Sequence, residues 1–136
     1  MADTSFSIGN IEGQVKALSD QMASVTGYGS NANGEYWKFP DGTLICAKSV
    51  APTVTFSAWG SLYESSVIQY GSWAYAFKSG TVPFVTAMTK NSGAAAIVVG
   101  VGSITNESAG TGRVMRPNNP GDTALAIDVI GIGRWK

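Results

Sequence analysis

Apolar residues open the chain on a seven-residue beat. Ile8, Ile11, Val15, Leu18, Met22 and Val25 are spaced 3, 4, 3, 4 and 3 apart, and the positions between them are mostly polar or small, such as Asn10, Glu12, Gln14, Lys16 and Asp20. So narrow a stripe is the seam of a coiled coil, with Ile8, Val15 and Met22 at a and Ile11, Leu18 and Val25 at d. At ~1.5 Å per residue the segment would run about 27 Å. A single helix of that length is marginal in water, and Gly9 and Gly13 each weaken it by roughly 1 kcal/mol against Ala. The helix is therefore expected to exist because other helices hold it. Isoleucine at both a and d, as in Ile8 and Ile11, favours three strands over two. The other way to use the stripe is one amphipathic helix packed on its own domain.

After residue 34 the beat changes to short alternating or continuous apolar runs separated by turn residues. The spacing predicts strands near 36–39, 43–50, 53–58, 67–77, 81–89, 94–104, 112–116 and 123–132, with a hairpin at Pro40-Asp41-Gly42. Trp73, Tyr75 and Phe77 stand two apart and would line one face of a strand. The expected organisation is a coiled-coil stalk over 1–27, a Gly/Asn hinge over 28–34 and a β-rich head over 35–136. The expected fold is an all-β sandwich or barrel-like head behind a short N-terminal α-helical trimeric coiled coil.

Composition adds to this picture. Only 13% of the 136 residues are charged, against roughly 25% in ordinary domains. Such a chain stays soluble through Ser, Thr, Asn and Gly, or covers part of its surface in an oligomer. Nine basic residues balance nine acidic ones, and no basic stripe favours nucleic acid. No run approaches the ~20 apolar residues of a membrane span, and nothing resembles a signal peptide. The protein is thus expected in the cytoplasm of its producing cell, or released by lysis.

The candidate chemistry is sparse. The sequence has no histidine, which removes His-based triads and the common zinc sites. Its one cysteine, Cys46, lies in the apolar run Leu44-Ile45-Cys46-Ala47 and reads as a buried small hydrophobe. The glycine pairs around Val101 and Ile132 lack what dinucleotide binding needs. No catalytic residue, cofactor or metal ligand set is expected, although an ion on a trimer axis stays open.

The stretch Asn33-Gly34-Glu35-Tyr36-Trp37-Lys38-Phe39-Pro40-Asp41-Gly42-Thr43-Leu44-Ile45-Cys46 resembles the start of the C-terminal head of many phage and prophage tail-fibre proteins. Tyr75-Ala76-Phe77 followed by Val82-Pro83-Phe84-Val85, and the ending Ile130-Gly131-Ile132-Gly133-Arg134-Trp135-Lys136, are similar to later parts of those heads. Their aromatic and Gly after the apolar strand are replaced here by Ala47-Lys48-Ser49. The resemblance implies a homotrimeric fibre tip in the virion, made in the host bacterial cytoplasm. It also implies attachment to a surface glycan (lipopolysaccharide or capsule) or an outer-membrane protein. It hands over no named binding residues.

Glycan sites pair aromatic faces with planar polar groups. Two segments carry that chemistry: residues 58–66, with Trp59 and Tyr63, and residues 113–122, with Arg116, Asn118 and Asn119. Each has a plainer use. Trp59 and Tyr63 could be core or interface residues, Arg116 and Asp122 a solvated pair, and Asn118-Asn119-Pro120-Gly121 a simple turn. Trp37, Trp73 and Trp135 read as packing residues. Two other functions stay open: a purely structural virion protein, and a glycan-degrading tailspike-type enzyme using paired acids among Glu35, Asp41, Glu64, Glu107, Asp122 and Asp128.

Overall fold

Short runs of β-branched and aromatic residues cut by Gly, Pro, Asn and Asp pair into antiparallel hairpins. The computed structural model describes residues 10–19, 27–90 and 97–136. Residues 10–19 are helical (α1), and the expected seam positions Ile8, Met22 and Val25 lie outside the described residues. Twelve strands follow: β1 (Gly27–Asn31), β2 (Gly34–Lys38), β3 (Thr43–Val50), β4 (Thr53–Val54), β5 (Phe56–Trp59), β6 (Leu62–Ser65), β7 (Ile68–Gln69), β8 (Phe84–Thr89), β9 (Ile97–Gly102), β10 (Thr111–Arg116), β11 (Thr123–Ala124) and β12 (Ile127–Arg134).

One sheet has the order β1-β2-β3-β12-β8. A second has the order β5-β6-β10-β7, with β9 also paired to β10, and β4 and β11 form a small ribbon. The sheets are open, so the head is not a barrel. They share one core that joins Leu44 and Cys46 of β3, Ile127 and Val129 of β12, Ile68 of β7 and Val114 of β10.

Turn chemistry explains the first sheet. At the β2–β3 corner the Asp41 carboxylate accepts the Thr43 N–H at 2.8 Å, and the Phe39 carbonyl accepts the Gly42 N–H at 3.0 Å. The Thr43 bond holds the Asp41 carboxyl below its ordinary value. The segment expected as a hinge, 28–34, is instead strand β1 and its turn onto β2. The Asn31 side chain accepts the Asn33 N–H at 2.9 Å, and Gly34 adopts φ +118°. A backbone able to pair with β2 does so, because unpaired N–H and C=O groups are costly.

The clearest departure from the expected strands is residues 70–83. Of the expected strand over 67–77 only Ile68–Gln69 is strand; residues 70–83 are an irregular lid with one isolated bridge from Ser72 to Ser108. Its backbone bonds to 106–110 instead, through Tyr70 N–H to Gly110, Trp73 N–H to Glu107 and Phe77 N–H to Asn106. Trp73 and Phe77 are buried edge-to-face with centroids 5.4 Å apart, while Tyr75 turns away to stack on Tyr36 at 5.0 Å. The room for this lid comes from β12. A Cβ at Gly131 would lie 2.7 Å from the Trp73 ring, and one at Gly133 would lie 2.9 Å from Phe77. Both rings therefore rest on bare backbone. Cys46 is fully buried, and burial pushes its thiol up to about 11, so it packs as an inert small hydrophobe.

Candidate functional site

The two segments singled out in the sequence meet at one end of the second sheet. Tyr63 pairs with Ala58 across the β5–β6 hairpin and with Arg116 on its other side. Residues 58–66 are thus mostly strand, and only Gly60 and Ser61 form the turn, with Gly60 at φ +62°. A two-residue turn with glycine in the left-handed region keeps the two strands in register.

Alternation then divides the expected residues between two faces. Trp59 lies opposite Leu62 on the outer face, where it is 58% exposed. Tyr63 and Arg116 lie on the inner face, half-buried, in one row with Ala58 and next to the Phe56–Ser65 pair. The Arg116 guanidinium sits 6.0 Å from the Phe56 ring centroid, at the limit of a cation–π contact. Asn118 and Asn119 are exposed in the bend after β10. The Asn119 side chain accepts the Gly121 N–H at 2.9 Å, which makes an Asx turn and leaves its amide group outward.

Three further residues complete the outer face and were not singled out beforehand as binding groups. Leu62 is Trp59's cross-strand partner. Two residues on, Glu64 accepts a bond from Arg113 Nη1 at 3.0 Å, and the same nitrogen also reaches the Ser65 carbonyl at 3.1 Å. The period-2 alternation of β6 could have grouped Leu62 with Glu64. The pairing with Arg113 depends on β10, 49 residues away. Ser65 itself is buried and satisfied: its hydroxyl accepts the Val114 N–H at 2.9 Å and donates to the Ser66 carbonyl.

This tip offers an exposed indole beside an aliphatic side chain, flanked by a guanidinium and the carboxylate it is bonded to. Such a surface can stack on a planar or C–H-rich ligand while exchanging hydrogen bonds at its edge. Two of the remaining Trp residues, Trp73 and Trp135, serve the fold. Trp135 donates its indole N–H to the Phe39 carbonyl at 2.8 Å, and Trp37 lies against Tyr28 with centroids 5.6 Å apart. Of the carboxylates weighed for hydrolysis, Glu35 accepts from Tyr28 at 3.0 Å, and Asp128 pairs with Lys90 at 2.8 Å. Among the described residues no helix is long and apolar enough to cross a membrane.

No protein-family model matches the chain, and no curated protein matches it. Among solved structures, an N-truncated R1-type pyocin tail fibre is similar, with a TM-score of 0.50 and 18% identity over 87% of this chain and 94% of that one. At that identity the likeness is one of fold. The β-rich architecture of this chain is thus also the architecture of a tail fibre, matched over nearly that chain's whole length.

Proposed function

We propose that this chain is the host-contacting end of a phage-type tail fibre. It acts as a non-enzymatic homotrimer that binds a bacterial surface glycan, lipopolysaccharide or capsule, or an outer-membrane protein. The observation that carries the proposal is the fold shared with the pyocin tail fibre over 94% of that chain. The exposed Trp59–Leu62 pair beside Arg113 and Glu64 supports a recognition role, since rigid aromatic anchors with a few placed polar groups are what binding surfaces use. The helix supports a trimer: Ile11, Val15 and Leu18 are each more than half exposed on one side of α1, and a bare seam calls for identical partners. Three weak sites on one particle gain avidity of ~10²–10⁴ without any new contact.

Fluorescently labelled protein, incubated with a panel of strains, is expected to stain susceptible cells at their surface. Failure to stain any strain that the parent particle adsorbs to would favour a purely structural role in the virion. Shortened capsule or lipopolysaccharide chains after incubation would overturn the non-enzymatic part. Light scattering is expected to give about three times the 14.1 kDa chain mass.

A further inference from the structure

The outer face of the five-stranded sheet inverts the usual pattern. An antiparallel sheet with one solvated face places apolar residues inward and polar ones outward. On β12 the end of the strand reads the other way: Gly131 and Gly133 face the core, while Ile130 and Ile132 face out. Register extends this across the whole sheet. Tyr28, Trp37, Ile45, Ile132 and Phe84 form one row over all five strands. With neighbouring strands ~4.8 Å apart the row is about 19 Å wide. Phe84 is 87% exposed, Met88 69% and Ile132 47%. Between Phe84, Ile130 and Ile132 lies a hollow of about 140 Å³, room for one large side chain.

We propose that this face is where the heads of the trimer pack on one another, each row covered by another copy of the same chain. This rests on the trimeric reading above and adds where head meets head. The polar groups of the face argue for that occupant. Glu35 accepts from Tyr28, and Asp128 is held by Lys90 and by the Ser49 hydroxyl. When the face is covered, Asp128 stays paired with Lys90, the Glu35 carboxylate keeps its Tyr28 donor, and Arg134 keeps its bond to the Asp41 carbonyl. A sugar would need free donors and acceptors beside the row, whereas a second copy offers an equally apolar row.

Size points the same way. Phe84 alone leaves on the order of 150 Å² uncovered. With Tyr28, Met88, Ile130 and Ile132 the patch reaches the ~300–600 Å² upper range of monomer surfaces. Added to the seam of α1, it approaches the ~800 Å² per partner of a stable interface. The seam and the face are also close in the chain. Helical residue 19 precedes β1, an edge strand of this sheet, by only seven residues, so one assembly event can cover both.

The test uses the full chain and two variants. Thr86→Cys introduces a thiol at an exposed position lining the hollow, and buried Cys46 stays silent. In the native protein that thiol is expected to react with maleimide roughly tenfold or more slowly than free glutathione at the same pH. The double variant Phe84→Lys/Ile132→Lys is expected to fall in mass from three chains towards one, with an unchanged far-UV spectrum. A native mass of three chains with a freely reacting thiol would overturn this proposal and leave the trimer standing. A double variant that stays folded at three chains would overturn it equally. A native mass of one chain would remove the trimer itself. Should the double variant misfold, the thiol rate decides.

Discussion

The two sheets of the head present very different outer surfaces. The five-stranded sheet shows a continuous aromatic and aliphatic row from Tyr28 to Phe84, with Glu35 bonded to Tyr28 beside it and Asp128 paired with Lys90 further along. The β5–β6–β10 tip shows Trp59 and Leu62 next to the Arg113–Glu64 pair, with the Asn118 and Asn119 bend beyond. The first is chemically uniform and suits a copy of itself. The second is mixed and suits a ligand with both C–H faces and hydroxyls. Exposed apolar area alone does not tell assembly from recognition. What separates the two surfaces is how the apolar area is laid out: an uninterrupted row over five strands on one, and a single indole and leucine beside an ion pair on the other.

Several substitutions would break or sharpen this contrast. The largest effect is expected from Phe84→Lys/Ile132→Lys on attachment to cells. If the sheet face assembles and the tip binds, apparent affinity falls by about 100-fold through lost avidity, while the affinity of a single head is unchanged. Binding isotherms on cells and on a monovalent receptor fragment separate the two. Trp59→Ala comes next: it should weaken attachment by roughly 30-fold, as a central aromatic anchor does. It should leave the oligomer mass unchanged and thermal stability within about 0.5 kcal/mol, since its side chain is exposed. Loss of trimer mass on Trp59→Ala would erase the distinction between the surfaces.

Arg113→Met should cost about 1 kcal/mol in thermal or urea unfolding, because Glu64 and the Ser65 carbonyl both lose their donor in a partly exposed site. The smallest effect concerns Asp128. The Lys90 ammonium and then the Ser49 hydroxyl hold its carboxyl below the ordinary 3.8. A carboxylate with a depressed folded pKa contributes stability above its unfolded value, and that contribution disappears as pH falls through the folded one. Stability should thus decline slightly below pH 3.8, and Asp128→Asn should flatten that part of the profile. Salt should weaken the contribution further, since both side chains are exposed.

Strand β3 and its hairpin were legible because their causes are local. Pro40-Asp41-Gly42 sets the corner, and the alternation of Leu44 and Cys46 with Ile45 and Ala47 sets the faces. The lid over 70–83 was not legible for the opposite reason. Trp73, Tyr75 and Phe77 carry the spacing of a strand, yet two of them are core because Gly131 and Gly133, far along the chain, leave a floor for their rings. At the tip, both contributing segments were legible as aromatic and amide-rich. Their union through the Tyr63–Arg116 pairing was not, nor was the placing of Trp59 and Tyr63 on opposite faces.

The sequence by itself determined what periodicity and composition control: a heptad spacing of apolar residues through Ile11, Val15 and Leu18, a β-rich body, and a chain without histidine. Those properties depend on neighbours a few residues apart. The tertiary structure decided which residues share a surface. Cross-strand register places side chains separated by tens of residues side by side, and a one-residue slip would send each to the opposite face. The apolar row of the five-stranded sheet and the mixed tip of the second both exist through that register.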